Sequence, residues 1–228
     1  MDNCVFSQIC KTPNCEKLCT LRMEFDYLVD NSDVPINFRQ PKKLYPEECD
    51  LEAFTTLDTI KKDIVRFVED GRFLYLWSSA TGVGKSQFVC KMIMTYLAMI
   101  ANYNGFNENN GALFCYVPEL VLKTTDFKDD NREVYLKALC ERKLVIFDDI
   151  GAVSAGRFAE TNLSSIIDMR YRNKLATIFT SNLTEQGLEN VIGARMADRI
   201  LSDIVINLKG SGRRTNTNLY LTEHNRYR

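Results

Sequence analysis

The most informative segment of the chain reads Trp77-Ser-Ser-Ala-Thr-Gly82-Val-Gly84-Lys85-Ser86-Gln-Phe-Val-Cys-Lys-Met-Ile-Met94. It follows a short apolar run, residues 73–77, which lies between Gly71 and Ser78 and has the pattern of a β-strand. A strand, a loop with glycines, Lys-Ser and then a helix form the P-loop arrangement, in which backbone N–H groups and the helix N-terminus surround phosphate oxygens. The segment therefore predicts a phosphate-binding loop.

Two side chains of this loop have predicted roles toward a bound nucleotide. Lys85 neutralises charge on the outer phosphates, and the Ser86 hydroxyl binds Mg2+. The P-loop pattern begins with glycine, where this chain has Ser79. Gly82 and Gly84 still relieve the tightest part of the turn, so we expect a working loop with a slightly costlier turn at Ser79. The residues predicted to contact the nucleotide are Ser79, Ala80, Thr81, Gly82, Val83, Gly84, Lys85, Ser86 and Gln87.

Further strand-like runs indicate the fold class. Residues 112–117, 144–147 and 176–180 are short, almost continuous apolar segments, and the stretches between them are long enough for helices. This pattern is typical of strands that are buried on both faces of a parallel sheet covered by helices. We therefore expect an α/β fold, with a parallel sheet flanked by helices.

Two acidic residues end the run at residues 144–147. Ligands of parallel α/β sheets collect at the carboxyl ends of the strands, so Asp148 and Asp149 are expected beside the P-loop. We predict that Asp148 holds Mg2+, directly or through water, and that Asp149 polarises the attacking water. Many ATPases have glutamate at the second position, so the shorter Asp149 predicts slow hydrolysis. Asn182, at the end of another predicted strand, can orient the same water.

Composition and charge narrow the class of protein. The 228 residues are 45% hydrophobic and 26% charged, which is ordinary for a globular protein and excludes a disordered or collagen-like chain. With 29 basic and 30 acidic residues the formal net charge is -1, which argues against a protein that coats nucleic acid non-specifically. The pattern of a secretory signal and an apolar stretch of membrane-spanning length are both missing, so we expect a soluble, cytoplasmic protein without a membrane partner.

The eight cysteines fall into two groups. Four are scattered among apolar neighbours and are expected to be buried, at Cys49, Cys90, Cys115 and Cys140. The other four lie close together, in a segment too short for a hydrophobic core of its own, at Cys4, Cys10, Cys15 and Cys19. In a reducing compartment such a cluster favours a metal knuckle, so we predict zinc, with an iron–sulfur cluster or free thiols as alternatives.

The distribution of these patterns predicts three parts of the chain. A small Cys-rich module occupies residues 1–34, a linker arm with three prolines occupies residues 35–50, and the nucleotide-binding domain occupies residues 51–228.

Six segments, taken in order, carry a resemblance to a known family. They are Thr81-Gly-Val-Gly-Lys-Ser86, Leu144-Val-Ile-Phe-Asp-Asp-Ile-Gly151, Asp168-Met-Arg-Tyr171, Thr177-Ile-Phe-Thr-Ser-Asn-Leu183, Arg195-Met-Ala-Asp-Arg-Ile200 and Gly210-Ser-Gly-Arg-Arg214. Over roughly residues 50–215 the chain resembles the AAA+ ATPases of the DnaC/DnaI/IstB type. The resemblance implies a P-loop AAA+ core that binds ATP with Mg2+ and hydrolyses the ATP slowly, in an assembly.

The resemblance also implies roles for arginines. Arg199 matches the arginine finger, which reaches the ATP of a neighbouring subunit, so the chain would self-associate or pair with another ATPase. Arg195, one helical turn earlier, shares this role or forms an ion pair. Arg213 matches the lid arginine that senses the nucleotide in its own subunit, with Arg214 as the alternative. The implied catalytic set is Lys85, Asp148, Asp149, Asn182, Arg199 and Arg213.

Within the AAA+ class, the Thr-Ser-Asn-Leu segment is most similar to bacterial or phage replicative helicase loaders. This likeness implies that the N-terminal module binds a hexameric replicative DNA helicase, with Phe25, Tyr27, Leu28 and Val29 beside the cysteines. The protein would then help to place the helicase on single-stranded DNA during replication.

Residues 118–127 would contribute to the contact with single-stranded DNA, through Lys123, Thr124, Thr125 and Phe127. Two alternatives stay open. One is an IstB-like transposition regulator that binds duplex DNA, and the other is a phage-encoded decoy that blocks the helicase.

Overall fold

In the part of the chain that the structure describes, five short strands form one parallel sheet. The structure is a computed structural model, and it describes residue 6 and residues 19–40, 42–101, 111–125, 131–152 and 157–212. The strands are β1 (Phe73–Trp77), β2 (Ala112–Tyr116), β3 (Leu144–Asp148), β4 (Ala176–Ser181) and β5 (Ile204–Asn207). Their spatial order is β2-β3-β4-β1-β5, so the carboxyl ends of β3, β4 and β1 lie side by side at one edge.

Helices cover both faces of this sheet. They are α1 (Thr20–Asp30), α2 (Leu51–Lys62), α3 (Ile64–Glu69), α4 (Lys85–Ala101), α5 (Val117–Thr125), α6 (Arg132–Glu141), α7 (Arg157–Arg172), α8 (Glu185–Ile192) and α9 (Ala194–Ile200). The side chains of β1 alternate between two hydrophobic clusters: Leu74 and Leu76 face α1 to α4, whereas Phe73 and Tyr75 face α5 to α9. The predicted α/β fold is confirmed. None of the described helices is both long and apolar enough to cross a membrane.

Strand β5 was missing from the sequence prediction. It has only four residues, it pairs with β1 alone, and Ile204 and Val205 are only half-buried. A strand this short at the edge of a sheet lacks the continuous apolar run that marked the central strands.

Helix α1 shares its core with α4. Phe25, Leu28 and Val29 are buried in the same hydrophobic cluster as α4, and the backbone N–H of Phe114 in edge strand β2 donates to the carbonyl of Ser32 (2.7 Å). Three of the four apolar side chains that the sequence assigned to a helicase contact are therefore inside the protein. Only Tyr27 among them is exposed, at 43%. The division into residues 1–34, 35–50 and 51–228 stays a prediction.

The cysteines divide differently from the expectation. Cys90 and Cys115 are buried, but Cys49 is exposed, so the prediction of burial is wrong there. Cys49 lies in a short 3-10 turn, Glu48–Asp50, in which Asp50 is the residue that turns inward. Of the N-terminal cluster, Cys19 precedes α1 as a half-buried free thiol.

Three of the four cysteines of the predicted zinc knuckle, Cys4, Cys10 and Cys15, lie outside the described residues. In the described part of the chain, no three His, Cys, Asp or Glu side chains are grouped to hold a metal. The zinc knuckle therefore stays a prediction without structural support.

A buried arginine ties three elements together behind the sheet. Arg170 of α7 has no exposed surface, and its guanidinium donates to the carbonyls of Leu139 (2.9 Å), Arg142 (2.9 Å) and Ala176 (2.6 Å). It also donates to the Thr177 hydroxyl (2.9 Å). These bonds satisfy carbonyls at the end of α6 and at the start of β4, which would otherwise be buried without donors.

Candidate functional site

The loop between β1 and α4 has the backbone that a phosphate-binding turn requires. Gly82 and Gly84 have φ angles of 79° and 107°, in the region that favours glycine. Ser79 is not among the described non-glycine residues with positive φ, so a serine there does not require the left-handed backbone that favours glycine. Val83 is buried beneath the loop, whereas Ser79 and Thr81 are exposed.

Lys85 begins α4 and turns its side chain back into the loop. The residue is only 8% exposed, and its Nζ donates to the carbonyls of Ser78 (3.5 Å) and Ala80 (3.4 Å) and to Oδ1 of Asn182 (2.7 Å). The positive charge therefore lies inside the turn, at the N-terminus of α4, where both the ammonium group and the helix dipole favour an anion.

Asp148 lies at the end of β3 beside Ser86. Burial raises the pKa of Asp148, while hydrogen bonds from Thr180 and Ser86 and the charge of Lys85 oppose that shift. The Thr180 hydroxyl donates to Oδ1 of Asp148 at 2.6 Å. The structure thus brings together the hydroxyl and the carboxylate that the sequence assigned to Mg2+, and oxygen donors of this kind suit that ion.

Asp149 and Asn182 complete a hydrogen-bonded chain that reaches Lys85. Nδ2 of Asn182 donates to Oδ1 of Asp149 (3.0 Å), and Oδ1 of Asn182 accepts from Lys85. Asp149 has φ of 65°, a left-handed conformation that costs a non-glycine residue about 1 kcal/mol or more. The turn directs the Asp149 carboxylate across the sheet edge to Asn182. Three of the predicted catalytic side chains, Lys85, Asn182 and Asp149, are therefore in one connected group.

Thr180 is the site residue that the sequence analysis missed. Its hydroxyl donates to Asp148 and accepts the backbone N–H of Asp149 (3.0 Å), so one side chain fixes both acidic residues. The neighbouring Ser181 hydroxyl donates to the carbonyl of Ile150 (2.7 Å). A Thr-Ser pair at the carboxyl end of a strand, beside another strand that ends in acids, is the signal that could have found it.

The two arginines on α9 both pair with Asp168 of their own chain, but they differ in exposure. Arg199 is mostly buried, forms an ion pair with Asp168 of α7, and lies 5.8 Å from the centre of the Tyr171 ring. Arg195 also reaches Asp168 (3.4 Å), but its side chain is 80% exposed. In this conformation Arg195 presents the more accessible guanidinium, and Arg199 must leave Asp168 to act on a neighbouring subunit.

Two predicted sites fall partly outside the described residues. Arg213 and Arg214 follow the last described residue, Gly212, as does the rest of the C-terminal segment. Phe127 and the side chains of Thr124 and Thr125 are also outside. Lys123, which was predicted to contact DNA, lies on α5, pairs with Glu119 (3.3 Å) and is 4.4 Å from the Tyr135 ring centre. Contact of this segment with DNA stays a prediction.

The site combines a P-loop between β1 and α4 with acids at the end of β3 and a polar residue at the end of β4. On a parallel sheet of this order, this is the arrangement of a P-loop nucleotide-binding protein with an AAA+-like fold. A family model described as IstB-like ATP binding protein matches residues 50–217, and the chain belongs to that family.

The chain is also similar to named helicase loaders. The replicative helicase loader DnaC of Buchnera aphidicola subsp. Schizaphis graminum (strain Sg) is 30% identical over 130 residues, which are 55% of this chain and 49% of that protein. The chain thus spans about half the length of the curated relatives it matches.

Two solved structures share the fold. A crystal structure of DnaI superimposes with a TM-score of 0.62 at 24% identity, covering 80% of this chain and 95% of that chain. A crystal structure of the DnaC helicase loader gives 0.61 at 19% identity, covering 77% and 100%.

Proposed function

We propose that the protein is an ATP-dependent helicase loader that binds a hexameric replicative DNA helicase and helps to place it on single-stranded DNA. The observation that carries the proposal is the connected group of Lys85, Asn182 and Asp149 beside the Ser86–Asp148 pair, in a chain whose curated relatives are named helicase loaders. This group contains the residues that an ATP-dependent switch needs, and the names of the relatives point to helicase loading.

The residues around the loop fit a nucleoside triphosphate with Mg2+. Nε2 of Gln87, which was predicted to contact the nucleotide, is buried without a hydrogen-bond partner in the described part of the chain. A buried unpaired donor is costly, so this group favours a ligand that accepts hydrogen bonds. Mg2+ bound near Ser86 and Asp148 would neutralise charge on the outer phosphates.

A cleft of about 420 Å3, lined by residues of α2, of α4 and of the segment 43–46, suits the base of the nucleotide. Leu44, Phe54 and Phe88 line it, and Leu44 lies so close to Gly84 that a Cβ there would be 3.3 Å from it. An apolar wall next to the phosphate loop is what a nucleobase requires.

In this proposal, hydrolysis depends on an ordered water molecule and on an arginine from an adjacent subunit. In the proposed mechanism, Asp149 accepts a proton from the attacking water and Asn182 orients that water. Lys85 stabilises negative charge on the transferred phosphoryl group. Arg199, or the more exposed Arg195, would supply charge to the site of an adjacent subunit, so turnover requires assembly.

The experiment that tests the loader uses full-length protein and the replicative helicase of the same organism. A circular single-stranded DNA carries an annealed labelled strand, and we expect strand release to require helicase, this protein and ATP. The variant Lys85→Met should bind the helicase but fail to support release. Binding can be followed by size-exclusion chromatography with light scattering.

The design of the helicase-binding variants follows from the packing of α1. Removal of residues 1–18 keeps α1 but takes away Phe6, which is buried in the same hydrophobic cluster and packs against the Phe25 ring, and a longer deletion would also remove Phe25 and Leu28. The stability of the shorter deletion variant is therefore measured beside its binding. We expect the shorter deletion, or Tyr27→Asp on the exposed face of α1, to weaken helicase binding while ATP binding is retained. Retained helicase binding in both variants would place the contact elsewhere.

A second candidate is an IstB-like transposition regulator, which the family match itself favours. This function predicts ATP-dependent binding of duplex DNA and no complex with the helicase. A titration of labelled duplex and single-stranded DNA, with and without a non-hydrolysable ATP analogue, separates the two. A protein that binds the helicase and stops strand release would instead be a decoy.

A further inference from the structure

Two carboxylates near the N-terminal side of the domain hold the segment that leaves β5. From here on, the arm means residues 42–50, the second part of the predicted linker arm. We name residues 209–212 the strap. Asp50 of the arm is only 1% exposed, and its two oxygens accept the backbone N–H groups of Lys209 (2.7 Å) and Gly210 (3.0 Å). Glu47 accepts the backbone N–H (2.9 Å) and the hydroxyl (2.7 Å) of Ser211. Three successive N–H groups of the strap are thus bound by the arm.

The strap is fitted between these carboxylates and the phosphate loop. A Cβ on Gly210 would lie 2.6 Å from Oδ2 of Asp50, so only glycine allows the approach. A Cβ on Gly212 would overlap the carbonyl oxygen of Thr81, which belongs to the phosphate loop. The strap therefore touches the arm on one side and the loop on the other.

The bonding pattern limits what the strap can do. Because Asp50 and Glu47 already occupy the N–H groups of residues 209–211, these groups are not available to phosphate oxygens. The strap is thus a wall of the loop rather than a ligand of the nucleotide. Burying the Asp50 carboxylate is costly unless it accepts hydrogen bonds, and the strap supplies them. The residues that hold this wall lie about 160 positions earlier in the chain.

We propose that Glu47 and Asp50 are positioning residues for the nucleotide site, which hold the strap against the phosphate loop and so couple the arm to nucleotide occupancy. This inference rests on the ATP site proposed above. When the carboxylates are removed, the strap leaves Thr81, the loop loses its wall, and the nucleotide dissociates faster. The same contacts give the N-terminal part of the chain a direct route to the ATP site.

The test compares variants that differ in one carboxylate. In Asp50→Asn, one of the two accepting oxygens becomes an NH2 group, so either the N–H of Lys209 or the N–H of Gly210 loses its acceptor. Glu47→Ala removes the acceptor for Ser211 and is the second variant in case Asp50→Asn fails to fold. Glu48→Ala is the matched control, because Glu48 lies between them in the arm and is exposed.

The measurements are the dissociation constant and the dissociation rate of a fluorescent ATP analogue with Mg2+, beside urea denaturation of each variant. We expect Asp50→Asn and Glu47→Ala to bind the analogue about tenfold more weakly, about 1.4 kcal/mol, through a faster dissociation rate. Glu48→Ala should match the wild type. Variants that are less stable but bind the analogue normally would show a purely structural role and overturn the inference.

Amide hydrogen exchange in the strap gives a second measurement. It would not respond to nucleotide if Glu47 and Asp50 had a purely structural role. If the clasp between arm and strap raises nucleotide affinity about tenfold, nucleotide must stabilise the clasp by the same factor. Amide hydrogen exchange at Gly210 and Ser211 should therefore slow about tenfold on addition of the analogue. If the protein binds the analogue but exchange at Gly210 and Ser211 is unchanged, this inference is overturned and the proposed ATP site stands. A wild-type protein that does not bind the analogue would overturn the proposed ATP site and, with it, this inference.

Discussion

Replacing Thr180 with valine would remove one hydroxyl that holds both acidic residues of the site. The side chain is 1% exposed, and valine has nearly the same shape, so no cavity forms. The variant loses a hydrogen bond to the Asp148 carboxylate, worth about 1.5–3 kcal/mol, and leaves the N–H of Asp149 without its acceptor, worth about 1 kcal/mol. We expect Thr180→Val to lower the free energy of unfolding by about 2–4 kcal/mol at neutral pH.

The size of this loss depends on pH. Burial raises the pKa of Asp148 and the bond from Thr180 lowers it, so Thr180→Val raises that pKa further. The folded variant then holds a proton at pH values where the folded wild type does not. The free energy of unfolding decreases with rising pH where the folded state binds more protons than the unfolded state. Because the folded variant binds the proton more tightly, its free energy of unfolding decreases more than that of the wild type as pH rises. The difference should be widest near neutral pH and should narrow as pH falls through the pKa of Asp148.

Urea denaturation of both proteins, from neutral to acidic pH, measures these effects. The control is Thr59→Val on α2, whose exposed hydroxyl donates only to the carbonyl of Thr55 (2.9 Å), and which should change stability by less than about 0.5 kcal/mol. If Thr180→Val at neutral pH is as stable as this control, the assignment of Thr180 as the residue that holds the acids is refuted.

Three further predictions follow from single side chains. Lys85→Met should weaken ATP binding by more than about thirtyfold, or about 2 kcal/mol, in isothermal titration, because it removes the charge inside the loop; normal affinity would contradict the site. Arg170→Met should lower the free energy of unfolding by about 3–5 kcal/mol, because three buried acceptors and the half-buried carbonyl of Arg142 lose their donor. Arg172→Met, with a 71% exposed side chain, should cost less than about 1 kcal/mol in the same urea experiment. Asp148→Asn should raise the unfolding temperature of the nucleotide-free protein at neutral pH, because burial disfavours the ionised carboxylate, and this gain should vanish on acidification below the raised pKa; an equal gain at all pH values would point to a different cause.

The sequence was sufficient for features that depend on neighbouring residues. The P-loop, the strands at residues 73–77 and 144–147 and the acids after β3 all have local patterns, and the structure brings Lys85, Asp149 and Asn182 together as the order of a parallel sheet requires.

Features that join distant segments could not be predicted in this way. Thr180 meets Asp148 across 32 positions, and Asp50 meets Lys209 across 159, so neither contact leaves a periodic trace in the sequence. The likeness to helicase loaders placed Phe25, Leu28 and Val29 of α1 in a helicase contact, but these side chains are buried. The packing of α1 against α4 depends on a groove that only the folded sheet creates.

The position of β1 within the sheet has a consequence for the synthesis of the protein. β1 carries the P-loop, but its two neighbours are β4 and β5, and Phe73 pairs with Thr177, 104 residues later in the chain. At a translation rate of about 5–20 residues per second, the P-loop strand would wait roughly 5–20 seconds for its first partner. During that time its apolar face and unpaired backbone are open to chaperones or to aggregation. On the ribosome, ATP binding would therefore require that the chain has been synthesised at least through β4 and β5.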